Sequence, residues 1–155
     1  MTPTVANADR TYADPGALLK LYLHEPESAA MSRWRARTKG ALPLTQHGRL
    51  EISNGICLAV FRKAISAEAL RDAIASFDED LAEGRYLQAD VVWRATLRRA
   101  EELCRSYTPT CGCRALDVLH VATALELGLR TFVTFDRRQQ QLARVAGLEP
   151  ITPGA

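Results

Sequence analysis

The sequence predicts an α/β fold, a three-layer α/β/α sandwich around a central, mostly parallel sheet. Three observations predict it. Short apolar runs alternate with long segments of helical period along most of the chain, the pattern of strands joined by helical crossovers. The clearest β-rich run, Thr131 to Phe135, stands between two helical segments. The most apolar helical segment, Arg114 to Leu127, carries Leu116, Leu119, Val121, Ala122 and Leu125 on more than one face, as a helix buried against a sheet should.

Each element follows from local signals. Thr11 to Ala13 is a short strand ended by Asp14-Pro15-Gly16, and Ala17 to His24 places Leu18, Leu19, Tyr22 and Leu23 at helical spacing. Glu27 to Lys39 reads as a helix closed by Gly40. Leu42 to Thr45 is the second strand, followed by a helix over Gly48 to Lys63 with Ile52, Ile56, Ala59 and Val60 on one side. Ser66 opens a helix reaching Gly84, as an N-cap whose capping box is incomplete because Ala69 stands at the third position. Asp90 to Tyr107 reads as the next helix with Asp90 as its N-cap, and Thr108 to Cys113 as a loop containing Pro109 and Gly112. After Gly128 come the Thr131 to Phe135 strand, an amphipathic helix over Arg137 to Ala146 and an edge strand over Glu149 to Thr152. The helix content is high for this class, so two middle helices are expected to form a protruding hairpin.

At 155 residues the chain suits one domain, 1–155, with residues 1–10 expected to be a loose N-terminal extension. It is 47% hydrophobic and 25% charged, which supports a packed core and excludes a disordered or fibrous chain. A net charge of +2 is too balanced to coat nucleic acid by bulk charge, and leaves room only for a localised basic surface. No uncharged apolar run approaches the roughly 18 residues of a membrane span. Met1 to Arg10 lacks the apolar stretch of a secretory signal. Together with Cys57, Cys104, Cys111 and Cys113 this predicts a cytoplasmic protein with reduced thiols.

In open parallel sheets, ligands bind beyond the carboxyl ends of the strands. Asp14 and Asp136 close two of the strands, Glu51 lies about one turn into the helix after the second strand, and Asp117 lies in the first turn of the buried helix. The fold therefore brings Asp14, Glu51, Asp117 and Asp136 to one edge of the sheet. Singly, each has a plainer reading: Asp14 and Asp136 as N-caps, Asp117 as a dipole-compensating acid, Glu51 as a solvated helix residue. Jointly, the like charges would repel unless a cation neutralised them, and an oxygen-only set favours Mg²⁺ or Mn²⁺ over zinc.

Several stretches resemble the PIN-domain family, specifically the VapC-type toxins of bacterial toxin–antitoxin pairs. They are Tyr12-Ala13-Asp14 with Ala17 to Tyr22 and Glu25 to Ser28, then Thr45 to Glu51. Most specific are Arg114-Ala115-Leu116-Asp117-Val118-Leu119-His120-Val121-Ala122 and Thr131 to Asp136, followed by Leu142-Ala143 and Gly147-Leu148. The resemblance runs from about Tyr12 to Pro150. It implies a metal-dependent endoribonuclease with Asp14, Glu51, Asp117 and Asp136 as catalytic and metal-binding acids, cutting RNA to leave a 5′-phosphate and a 3′-hydroxyl. Asp14 and Asp117 are the direct-ligand candidates. Glu51 and Asp136 could bind a second ion, orient water or accept its proton. The resemblance also implies a homodimer neutralised by a small antitoxin, with apolar helices of the N-terminal half as contact surfaces. The family usually places a small hydroxyl residue just after the first Asp, where this chain has Pro15-Gly16. That departure motivates a competing expectation, a catalytically weak PIN-like module that binds RNA or a protein partner.

An acidic site needs flanking cations to accept a polyanion. Candidates are Arg33, Arg35, Arg37 and Lys39 around Trp34, then Arg94, Arg98, Arg99 and Arg105, and Arg137-Arg138 after the last acid. Charge runs are usually solvated faces, so they count as RNA contacts only if they border the acids. Arg114 is expected to pair with an acid of the site or to meet the antitoxin. His120, three residues after Asp117, reads as a buried, hydrogen-bonded histidine rather than a ligand. A zinc site from Cys104, Cys111, Cys113 and His120 is the weakest reading, because C-x-C is not a usual structural-zinc spacing.

Overall fold

Five short strands and seven helices account for the architecture of the computed structural model, which describes residues 7–155. Strands β1 (Thr11–Ala13), β4 (Thr131–Val133) and β5 (Glu149–Ile151) form a parallel sheet with β4 in the middle. Strands β2 (Leu42–Leu44) and β3 (Tyr86–Gln88) form a second parallel pair. A bridge between Asn7 and Lys39, with the Ala8 amide donating to the Lys39 carbonyl at 3.0 Å, ties the lead into β1 to the lead into β2.

Helices α1 (Pro15–Leu19), α2 (Ser28–Arg37), α3 (Gln46–Phe61) and α4 (Ala67–Ala82) build one core around Leu18, Met31, Ile52, Ile56 and Phe77. Helices α5 (Trp93–Cys111), α6 (Ala115–Glu126) and α7 (Arg137–Val145) build the other around Leu103, Val118, Val121 and Leu142. The strands divide the two by their period of two: Tyr12 and Phe132 enter the second core, their neighbours Ala13 and Val133 the first. This is the three-layer α/β/α sandwich expected from the sequence.

Several boundaries differ from expectation for physical reasons. Strand β3 carries almost no sequence signal: it has three residues, only Tyr86 is buried, and Leu87 lies 64% exposed on the sheet edge. The stretch expected as a loop over Thr108 to Cys113 instead completes α5, which runs through Pro109 to Cys111. Proline removes one hydrogen bond there, in the last turn, where the loss costs least. The helix stops at Gly112, whose φ of 70° and amide bond to the Thr108 carbonyl at 2.8 Å form a left-handed cap. Asp90 does not cap α5. The helix starts at Trp93, and the Asp90 carboxylate accepts from Gln88 Nε2 at 3.2 Å.

Helices α3 and α4 form the crossover from β2 to β3, and Phe77 and Ala73 anchor α4 in the core. Ser66 caps α4 as expected, accepting from the Ala69 amide at 3.0 Å. Of the segment expected to be a loose extension, residues 1–6 lie outside the described residues, and Ala8 is fully buried. Among the described residues, no helix is long and apolar enough to cross a membrane.

Candidate active site

All four acids singled out from the sequence line one cavity of about 620 Å³ at the carboxyl edge of the sheet. Asp14 follows β1, Glu51 lies on α3, Asp117 in the first turn of α6, and Asp136 precedes α7. The plainer readings of two of them hold as well. Asp14 caps α1 through the Gly16 amide (2.9 Å), and Asp136 caps α7 through the amides of Arg138 (2.8 Å) and Gln139 (3.2 Å). Capping fixes each carboxylate at the mouth of the cavity, so the cap is also what sets its place there.

Pro15-Gly16 gains a local meaning. Proline suits the first helical position, where no amide donor is required. A Cβ on Gly16 would sit 2.9 Å from Asp14 Oδ2, so only glycine lets the backbone amide approach that oxygen unobstructed. The opposite wall is equally tight, since a Cβ on Gly55 of α3 would lie 2.5 Å from Leu19 Cδ1.

Two buried side chains hold the acids in place, and sequence reasoning singled out one of them, His120, but not Gln139. Gln139, fully buried, donates from Nε2 to Asp14 Oδ1 (2.9 Å) and to the Asp117 carbonyl (3.2 Å), while its Oε1 accepts from Thr134 Oγ1 (2.6 Å). The only sequence cue is its place one turn after Asp136. His120, also buried, bridges Tyr12 Oη (2.6 Å at Nδ1) and Glu51 Oε2 (2.8 Å at Nε2). It is thus the hydrogen-bonded histidine expected, but its partner is one of the candidate acids.

The electrostatics follow from this packing. Burial pushes the Asp14 carboxyl above its ordinary value and Asp117 adds to the rise, against the lowering effects of His120, Gln139 and the Gly16 amide. Burial alone would lower His120. The Glu51 hydrogen bond and the charges of Asp14, Glu51 and Asp117 outweigh it, so its pKa is raised. His47, stacked on His120 with ring centroids 5.3 Å apart, is lowered to about 4 by burial and by the neighbouring imidazole.

The basic groups at the site are not the helical runs. Arg35 is buried, and its guanidinium donates to the carbonyls of Thr38, Gly40 and Arg85, so it is a structural brace. Arg99 pairs with Glu126 and Arg105 with Glu101, away from the acids. The cavity instead receives Lys20 and Arg114, and an adjoining recess is lined by Arg114, Arg137 and Arg138 together with Asp117 and Asp136. Arg114 Nε lies 3.6 Å from Asp117 Oδ2, the acid pairing expected for it. Lys20, not anticipated, is braced by Glu25 (2.6 Å) and Glu27 (2.9 Å), with its ammonium 5.2 Å from the Phe135 ring centre.

Among the described residues, no three His, Cys, Asp or Glu side chains converge closely enough to form a ready metal cage. The chemistry of the cavity nevertheless fits a hard divalent cation. Its donors are carboxylate oxygens, and Glu51, Asp117 and Asp136 each keep at least one oxygen free of hydrogen bonds among the described residues. The raised Asp14 pKa marks a site whose charge a cation would relieve. Zinc does not fit: both His120 nitrogens are engaged, and burial pushes the Cys113 thiol up to about 11, away from the thiolate zinc requires.

Known proteins resemble this chain in sequence. A family model for the PIN domain matches residues 11–146, which span every element from β1 to α7 and all four acids. Ribonuclease VapC46 of Mycobacterium tuberculosis (strain ATCC 25618 / H37Rv) is 32% identical over 145 residues, covering 92% of this chain and 96% of that protein. With a match of that extent and a relative aligned over nearly its whole length, the chain belongs to the PIN-domain family and is of the VapC type.

Proposed function

We propose that the protein is a Mg²⁺- or Mn²⁺-dependent endoribonuclease, the toxin of a toxin–antitoxin pair acting in the cytoplasm. The observation that carries this reading is that four carboxylates from four chain segments line one cavity with Lys20 and Arg114, beside a recess that holds Arg137 and Arg138. Asp14 and Asp117 hold the ion, and Glu51 and Asp136 complete its ligands or orient water. A bound divalent ion supplies an activated water at neutral pH and offsets charge on the phosphoryl oxygens. The basic rim draws the RNA backbone over the acids, which alone would repel it. Lys20, held against Phe135 by two glutamates, presents a fixed positive charge to a phosphate at the cavity wall. The relative's name, Ribonuclease VapC46, supports RNA as the substrate.

By the same family likeness, the partners are a cognate small antitoxin and a second copy of the chain. The depression between Leu21, Tyr22, Leu23 and α4 residues Ala69 and Ala73 supports an apolar antitoxin contact in the N-terminal half.

The test is cleavage of a mixed RNA pool with and without Mg²⁺ or Mn²⁺, by wild type and Asp117→Asn purified free of host nuclease. Ion-dependent cleavage that falls at least roughly 100-fold in the variant is expected. Equal cleavage by both proteins would overturn the reading. The hydrogen bonds already engaging Asp14 and Glu51 favour one second reading, a module that binds RNA with little turnover. RNA binding without cleavage at saturating Mn²⁺ would select it.

A further inference from the structure

Tyr12, His120 and Glu51 form one hydrogen-bonded chain inside the protein, and each comes from an element that carries or leads directly into a candidate acid. Tyr12 is on β1, two residues before Asp14. His120 is on α6, three residues after Asp117. Glu51 is itself on α3. The imidazole has no freedom to turn. Tyr12 tilts over it with ring centroids 5.8 Å apart and is itself stacked on Phe132 at 5.4 Å. His47 covers the ring at 5.3 Å and is in turn backed by Trp93 at 4.9 Å.

Proton placement along this chain is determined by its ends. Glu51 as a carboxylate only accepts, so His120 Nε2 must carry a proton toward it. Tyr12 can donate its hydroxyl proton to Nδ1 of a neutral ring, or accept from Nδ1–H of a charged one. Nε2–H points at Glu51 in both states, so the contact does not depend on the charge of the ring. One Glu51 oxygen is thereby pinned, and Oε1 is left for the cavity.

We propose that His120 is a positioning residue for Glu51, its Nε2–H directed at the carboxylate and its ring held at Nδ1 by Tyr12, so that one buried chain fixes the α3 carboxylate relative to the acids that follow β1 and open α6. The proposal rests on the ribonuclease reading for its effect on rate, but not for the proton on Nε2 itself. Partners of this kind, which orient a ligand without touching substrate, typically change metal affinity or activity by about 10- to 100-fold.

The experiment compares His120→Leu, His120→Gln and Tyr12→Phe with wild type by steady-state RNA cleavage, thermal melting and ¹⁵N spectra of the histidine rings. His120→Leu should lower kcat about 100-fold with KM within about twofold, because RNA still meets the basic rim. His120→Gln, whose amide can donate to Glu51, should recover at least tenfold of that loss. The ring spectra should show a proton on His120 Nε2 in wild type and, because Glu51 still accepts from it, in Tyr12→Phe as well. Folded His120→Leu protein with unchanged kcat, or Leu and Gln variants equally impaired in proportion to their loss of melting temperature, would overturn the positioning role. Wild-type protein that cleaves no RNA would defeat the ribonuclease reading instead. The ring spectra would then decide the proposal alone, a His120 Nε2 without a proton in wild type refuting it.

Discussion

Gln139 Nε2 donates to Asp14 Oδ1 at 2.9 Å, joining residues 125 positions apart in the chain. The same amide nitrogen reaches the Asp117 carbonyl, so a single buried side chain on α7 spans the two acids proposed as direct ligands. Asp136 places Gln139 by capping α7, and Thr134 fixes the orientation of its amide by donating to Oε1. The fourth acid thus contributes to the position of the first through the helix it caps.

Gln139→Met keeps the volume and removes the donor. The hydrogen bond from Gln139 favours the ionised form of Asp14, so its loss raises an already raised pKa. Cleavage by the variant should fall about tenfold at neutral pH, and the acid limb of its pH–rate profile should move to higher pH. An unshifted acid limb with normal folding would show that Gln139 does not tune Asp14.

Asp14→Asn should abolish cleavage and yet stabilise the metal-free protein. The folded-state pKa of Asp14 lies above its unfolded value, chiefly through burial, so the native state binds the extra proton between the two values. Native stability is therefore lost as pH rises through that window, and above it the ionised group opposes folding. Asparagine carries no charge, and its single Oδ1 can accept from only one of the two donors, Gln139 or the Gly16 amide, so the expected gain is the relief of the buried charge less one hydrogen bond. Melting curves in chelator should show a higher Tm for the variant at about pH 7.5 and a difference that vanishes near pH 3. A lower Tm at the higher pH would mean that the carboxylate is net stabilising where it sits.

RNA affinity should depend on the arginines at the acidic recess and not on those in the helical runs. Arg137→Ala/Arg138→Ala should weaken binding and reduce the slope of log K against log salt by roughly 0.7 for each phosphate no longer neutralised. Arg94→Ala/Arg98→Ala, on α5, should leave both within error. Filter binding across a salt series separates the two outcomes, and equal slopes for the two double variants would remove the rim from the substrate path.

The acids are legible in the sequence because their positions are set locally. A strand end, a cap and a first helical turn can be recognised within a few residues, and the parallel topology then brings those ends to one edge. Their partners are not legible. Gln139 meets Asp14, and His120 meets Glu51, only because side chains from α7 and α6 reach residues distant in the chain, which no local pattern encodes. Arg35 misleads for a related reason: within a basic run it looks solvated, while three carbonyls from two loops satisfy it inside the protein. Strand β3 is silent because one buried residue in three gives no alternation to detect.

The α1–α3 contact offers a prediction whose sign reverses with context. Gly55 sits inside α3, where alanine is favoured over glycine by about 1 kcal/mol. A Cβ there would meet Leu19 Cδ1 at 2.5 Å and Cδ2 at 2.9 Å, well inside van der Waals contact. Overpacking of this kind costs roughly 1–3 kcal/mol, which outweighs the helix gain even though the Leu19 side chain can shift in part. Gly55→Ala alone should therefore lower stability by about 1 kcal/mol and, because Leu19 and Glu51 share the cavity wall, reduce cleavage as well. In a Leu19→Ala background the obstructing atoms are gone and only the helix preference remains. There the same substitution should raise stability by up to about 1 kcal/mol. Urea melts of the four proteins give a double-mutant cycle with an expected coupling of about 2 kcal/mol. A coupling near zero would mean that α1 and α3 can separate freely, and that the close approach at Gly55 does not hold the Asp14 and Glu51 walls together.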